Sequence, residues 1–256
     1  MPLNLGLGLE GRAVVVTGAG GAIGRAVARA FARSGARVAA VDLTAEAAEA
    51  VVAELEEPDQ HVAIGTDLTD LDGHNVVFEQ ARDALGPVVA LAHLAAVLRR
   101  RQTIDDVTED DWDVQHGVNL KTTFFLNRAA ARCFRAGSAG GAIVNFSSQS
   151  WWTGGFGGAV VYAASKGGIV TMSRGLARSL APDGIRVNTV SPGFVDSPML
   201  RDGADEADLR AWAAMAPLGR LARPEEMAGP VVFLCSDHAS YITGATINVS
   251  GGQLMY

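Results

Sequence analysis

Tyr162 and Lys166, four apart in the run Tyr162-Ala163-Ala164-Ser165-Lys166, form the strongest chemical pairing in this sequence. On a helix two residues at that spacing share one face, which brings the lysine ammonium beside the tyrosine ring. A nearby cation favours phenolate and lowers a phenol pKa from its ordinary value of about 10. A phenol tuned in this way can act as a general acid or base near neutral pH. A tyrosine and a lysine at this spacing also occur in helices with no catalytic role. Position is what singles this pair out, after Val144-Asn145-Phe146-Ser147-Ser148 and before Asn188-Thr189-Val190-Ser191-Pro192-Gly193.

A second cluster suits phosphate. Thr17-Gly18-Ala19-Gly20-Gly21-Ala22-Ile23-Gly24 follows an apolar run and leads into an Ala-rich helical stretch. Glycines let a tight turn bring backbone amides close to a pyrophosphate, and the helix N-terminus adds its dipole and free N–H groups. Further on, in Val41-Asp42-Leu43, the Asp42 carboxylate can accept from both hydroxyls of an adenosine ribose and would repel a 2′-phosphate. The alternative for Asp42 is a plain helix cap beside Thr44.

These residues need a frame. Strand-like runs at Ala13–Thr17, Arg37–Val41, Val62–Gly65, Val88–Leu94, Ala142–Phe146, Arg186–Val190 and Thr246–Val249 alternate with helical stretches at Ile23–Ser34, Thr44–Glu56, Asn75–Leu85, Asp110–Phe134, Tyr162–Leu180 and Pro224–Cys235. The pattern predicts an α/β, Rossmann-like fold, a doubly wound parallel sheet of seven strands with helices on both faces. Ligands of such sheets bind beyond the carboxyl ends of the strands. At 256 residues and 48% hydrophobic composition the chain fits a single domain over residues 12–256 behind an N-terminal tail, residues 1–11. A net charge of −7 offers no electrostatic footprint for nucleic acid or an anionic membrane. The start of the chain has neither a basic segment nor a long apolar one, and no apolar run reaches the roughly 18 residues of a spanning helix. Cys133 and Cys235 stand outside any metal-type spacing, so no metal is expected, and a reduced, cytoplasmic protein is.

The glycine loop resembles the TGxxxGxG signature of the short-chain dehydrogenase/reductase (SDR) family, with Ala22 where the middle glycine usually stands. The resemblance runs from Thr17 to Gly252 and takes in the Tyr162–Lys166 pair and Asn188–Gly193. It implies an NAD-dependent oxidoreductase that interconverts a secondary alcohol and a ketone. In that scheme Tyr162 is the general acid/base, and Lys166 holds the cofactor ribose and steadies the phenolate. Ser148 polarises the substrate oxygen, with Ser147 and Ser150 as rivals. Asn119 holds a proton-relay water, a role that can coexist with its plain alternative of capping a helix kink. Cofactor contacts are implied at Gly18, Gly21, Ala22, Ile23, Gly24, Asp42, Leu43, Asp67, Leu68, Ala95, Pro192, Gly193, the Val195 backbone and the Ser197 hydroxyl. Asp67 has a turn as its plain alternative. NADP is the less favoured cofactor, since Gly21 and Leu43 occupy positions where NADP-using relatives tend to carry a basic residue.

The resemblance also implies a homotetramer built through Asp110–Phe134 and Tyr162–Leu180, and a substrate lid at about residues 197–215. Departures matter as well. His93-Leu94-Ala95-Ala96 replaces Asn-Asn-Ala-Gly and resembles the matching strand of nucleotide-sugar epimerases, so an epimerase or dehydratase with tightly held NAD is an alternative, as is a non-catalytic NAD-binding protein. His93 itself reads as a buried, satisfied imidazole. Trp151, Trp152 and Phe156 are placed to wall a substrate pocket or to pack between subunits. Arg99-Arg100-Arg101 resembles a stretch of some sugar-acid dehydrogenases, or is a solvated basic turn.

Overall fold

The computed structural model describes residues 5–137 and 140–256. Its strands are β1 (Ala13–Thr17), β2 (Arg37–Asp42), β3 (Val62–Gly65), β4 (Val88–His93), β5 (Gly141–Phe146), β6 (Ile185–Pro192) and β7 (Thr246–Val249). All are parallel, in the spatial order β3-β2-β1-β4-β5-β6-β7. The chain therefore reverses direction of travel across the sheet between β1 and β4, the switch point at which such sheets bind ligands.

The helices are α1 (Ala22–Arg33), α2 (Ala45–Val52), α3 (Gly73–Leu85), α4 (Glu109–His116), α5 (Thr122–Ala136), α6 (Ser150–Thr153), α7 (Val160–Leu180), α8 (Pro198–Arg201), α9 (Glu206–Met215) and α10 (Ala228–Cys235). Successive strand residues point to opposite faces. Val14, Val16, Ala90, Ala92 and Val144 pack under α1 and α10, while Val15, Leu91 and Ile143 pack under α3, α5 and α7. Both faces are dry, which explains why β1 reads as unbroken hydrophobic sequence rather than as an alternation. Fully buried Phe31 and Phe134 each contribute roughly 1.5–3 kcal/mol of transfer free energy to these layers.

Residues 5–11, expected to be a tail, form turns against the body. Leu9 is buried in the α1 layer, and Gly11 N–H donates to Gly35 O at 2.8 Å. The long helix expected over Asp110–Phe134 is divided. A π turn, Gly117–Lys121, separates α4 from α5. Among the described residues no helix is long and apolar enough to cross a membrane.

Candidate active site

A cavity of about 580 Å³ opens at the carboxyl ends of β1, β4, β5 and β6. One wall is the glycine loop. Helix α1 begins at Ala22 with Gly21 as N-cap and no side-chain cap, so its first-turn N–H groups are left for a ligand. Gly18 adopts φ +64°, and a Cβ on Gly24 would lie 2.0 Å from the Gly18 carbonyl oxygen. Only glycine fits there, and the backbone is thereby laid bare to the cavity. This wall fits the pyrophosphate of a dinucleotide. Ala22 lines the cavity. Asp42 Oδ2 accepts from Gly20 N–H at 2.8 Å and Oδ1 from Leu43 N–H at 2.8 Å. Capping of α2 is done by Thr44, whose hydroxyl accepts from Ala47 N–H, so Asp42 is not the cap.

The chemical side chains converge on the opposite wall. α7 carries Tyr162 and Lys166, and Ser148 follows β5. Ser148 and Tyr162 both line the cavity, and the Ser148 hydroxyl acts to lower the phenol pKa. Lys166 is almost wholly buried, donates from Nζ to Phe146 O at 3.0 Å, and lies 5.5 Å from the centre of the Tyr162 ring. Of the rival serines, Ser147 donates to Lys166 O at 2.8 Å and so faces α7. Ser150 Oγ is buried without a partner. The expected lowering of the phenol is reversed in the chain by itself. Burial pushes Tyr162 up to about 12, against the opposing Ser148 hydroxyl and the Arg100 charge. Burial also pushes Lys166 down to about 7, which weakens it as a source of positive charge.

Over residues 18–253 the sequence matches the family described as enoyl-(acyl carrier protein) reductase. It is 35% identical to the (3R)-3-hydroxyacyl-CoA dehydrogenase of Rattus norvegicus, over 97% of this chain and 98% of that one. It is 38% identical to the D-threitol dehydrogenase of Mycolicibacterium smegmatis, over 95% and 93% respectively. A solved glucose/ribitol-dehydrogenase-type structure from Brucella melitensis superposes with a TM-score of 0.89 at 33% identity, over 98% and 99%. The chain belongs to the short-chain dehydrogenase/reductase family.

Other expected residues of this SDR fall differently. Asn119, fully buried in the π turn, accepts from Val97 N–H and donates to Val97 O, both at 2.9 Å, and also donates to Ser165 Oγ at 3.2 Å. Its amide holds the helix kink to the β4 exit, spending both Nδ2 hydrogens and one of the two Oδ1 lone pairs. Pro192, Gly193, Val195 and Ser197 all line the cavity. Val195 bridges to Ala222 through the Phe194 carbonyl and the Asp196 amide. In a parallel bridge that geometry leaves the N–H and C=O of Val195 itself facing the other way. Ser197 caps α8 through Leu200 N–H at 3.3 Å and keeps its hydroxyl proton. Leu43 is exposed. Asp67 accepts from Thr69 N–H and Oγ1, both at 2.8 Å, which is the turn reading, and the Leu68 carbonyl accepts from Thr122 Oγ1 at 3.2 Å. Ala95 lies against Gly18, and its neighbours Leu94 and Ala96 line the cavity in its place.

Trp151 and Trp152 do not line the cavity. Both rings pack on Tyr256, with centroids at 5.5 Å, so the pocket role expected of them passes elsewhere. The aromatic wall is Phe156, Phe194 and Trp212, with Phe194 stacked on Trp212 at 5.5 Å. Trp212 was missed because no motif surrounds it. Its one signal is a bulky aromatic set among alanines in α9. Gln149 and Gln253 were missed too. Both line the cavity, and Gln149 Oε1 and Nε2 and Gln253 Oε1 are buried without partners.

Proposed function

We propose that this SDR interconverts a secondary alcohol and a ketone, with Tyr162 as its acid/base and NAD as its hydride partner. The observation that carries the reading is that Ser148, Tyr162 and Lys166 line one cavity together with the bare glycine loop. A substrate oxygen placed between the two hydroxyls receives a hydrogen bond from Ser148 and exchanges its proton with Tyr162. The carbinol carbon then faces the loop side of the cavity. Lys166, through its buried ammonium, holds the cofactor ribose and the proton path behind the phenol. Asn119 acts as a positioning residue, fastening α4 and α5 around that path. Bound NAD⁺ supplies the hydride acceptor and a positive charge that favours phenolate. Gly18, Gly21, Ala22, Ile23 and Gly24 hold its pyrophosphate, Val195 and Ser197 its carboxamide, and Asp42 its adenosine ribose.

The relatives that act on hydroxyacyl thioesters and polyols support the alcohol/ketone chemistry. Exposed Trp112, Phe124 and Val160, on α4, α5 and α7, support a homotetramer built through those helices. Both cysteines are free, in keeping with a cytoplasmic enzyme. A panel of secondary alcohols followed by NADH absorbance tests the reading. Net NADH formation is expected. Turnover of a sugar nucleotide with no net NADH, and none with any alcohol, would establish the epimerase alternative instead.

A further inference from the structure

Three consecutive arginines leave β4, and they meet different fates. Arg99 pairs with Asp110 and, at 3.5 Å, with Asp111. Arg101 clasps the buried Asp111 carboxylate with two bonds of 2.8 Å. Arg100 has no carboxylate partner among the described residues. Its guanidinium reaches the backbone carbonyls of Met199 at 3.3 Å and Asp202 at 3.5 Å, and its carbon lies 5.1 Å from the centre of the Trp212 ring. Both hydrogen bonds are near the long limit, and neither acceptor carries a charge. The side chain lines the cavity, and its charge acts on the Tyr162 phenol across it.

A guanidinium with uncommitted donors, directed into a cavity walled by Phe156, Phe194, Met199 and Trp212, is suited to bind a planar anion. The anion is singly charged, because Arg101, the other arginine of this wall, is already neutralised by Asp111. We propose that Arg100 anchors a carboxylate on the substrate, which makes this enzyme a dehydrogenase of hydroxy acids with an apolar body. This inference rests on the redox reading of the same site. The carboxylate is a spectator. Two electrons and the carbinol hydrogen leave to NAD⁺ as hydride, the hydroxyl proton leaves to Tyr162, and a keto acid results. The β4 exit and the α8–α9 lid meet at Arg100, so a carboxylate there would replace two weak carbonyl contacts with one ion pair.

The test compares medium-chain hydroxy acids, with the hydroxyl at successive positions, against their primary amides, using wild type, Arg100→Gln and Arg100→Lys. A second measurement, without NAD, follows the thermal midpoint on addition of saturated medium-chain carboxylates. Wild type should favour the acid over the amide in kcat/KM by at least about tenfold. Arg100→Gln should erase that ratio, and Arg100→Lys should keep part of it. The carboxylates should raise the midpoint of wild type and not that of Arg100→Gln. NADH formed equally from acids and amides by wild type would overturn the anchor while leaving the redox reading intact. That comparison stands even if the variants fail to fold. An Arg100-dependent midpoint shift with no NADH from any compound would keep the anion site and sink the redox reading. A ratio unchanged in Arg100→Gln would also overturn the anchor.

Discussion

Thr17 Oγ1 lies 2.7 Å from His93 Nδ1 and ties the carboxyl ends of β1 and β4 together at the centre of the sheet. The same hydroxyl accepts from Leu94 N–H at 3.2 Å, so its proton is directed at Nδ1. The neutral ring then carries its hydrogen on Nε2, which is buried without a partner. The imidazole expected here to be satisfied is half so.

His93 should make stability depend on pH. Burial, followed by the charges of Lys166 and His74, pushes its pKa down to about 3. The unfolded chain takes up a proton near pH 6.5 that the folded chain refuses. Stability is therefore full above that value and falls as pH drops toward 3, by about 2 kcal/mol between pH 6.5 and 5. Thermal midpoints at pH 7.5 and 5 should drop further for wild type than for His93→Asn. Equal drops would show that His93 is not the responsible group.

Tyr162→Phe should keep NADH binding, seen by fluorescence, and lose about 10²–10⁴-fold in turnover. Lys166→Ala should lose at least as much, since both the ribose contact and the charge go. Alcohol oxidation needs the basic form and should rise with pH, and Lys166→Ala should move that rise upward, because a phenol already pushed up to about 12 loses the Lys166 charge 5.5 Å from its ring centre. Near-normal turnover in a folded Tyr162→Phe protein would assign the proton transfer elsewhere.

Cofactor choice is tested at Asp42. Wild type should show the higher kcat/KM with NAD, and Asp42→Ala should narrow the gap to NADP. Because Asp42 also holds Gly20 N–H, the variant should weaken binding of both nucleotides. A wild type that prefers NADP would refute the assignment.

Much of this was legible in the sequence because the relevant signals are local. The seven strands read directly as short β-rich runs, and the glycine loop and the Tyr162–Lys166 pair are each local in the chain. What escaped depends on packing between distant segments. The division of α4 from α5 comes from Asn119 bonding Val97 across the fold. Trp151 and Trp152 look like a pocket wall until both rings are seen packed on Tyr256, at the far end of the chain. In the chain by itself the Tyr162 shift runs upward through burial, whereas spacing shows a neighbouring charge and is silent on burial.

The aromatic reassignment is directly measurable. Trp212→Ala should raise substrate KM by about tenfold, the loss of roughly 1.5 kcal/mol of ring contact. Trp151→Ala and Trp152→Ala should change KM by no more than about twofold and mainly lower the thermal midpoint, since they lose packing rather than a ligand. The reverse ranking would return the pocket to the tryptophan pair.

Light scattering at micromolar protein should report a tetramer. Phe124→Glu, placing a charge on the exposed face of α5, should shift it to smaller species. A wild-type monomer would refute the assembly.

The strand order has a consequence for how the chain is made. β2 joins β1, β3 joins β2, β4 takes the free edge of β1, and β5, β6 and β7 each join the strand before them. No strand has to enter between two already joined, so a chain emerging from the ribosome can extend its sheet outward as each segment appears. The nucleotide-facing loop between β1 and α1 is complete while the Ser191–Trp212 wall is still unsynthesised. Early in its synthesis, the nascent protein is thus a nucleotide-shaped half with an open β4 or β5 edge, and that edge is the stretch of its assembly most exposed to mispairing.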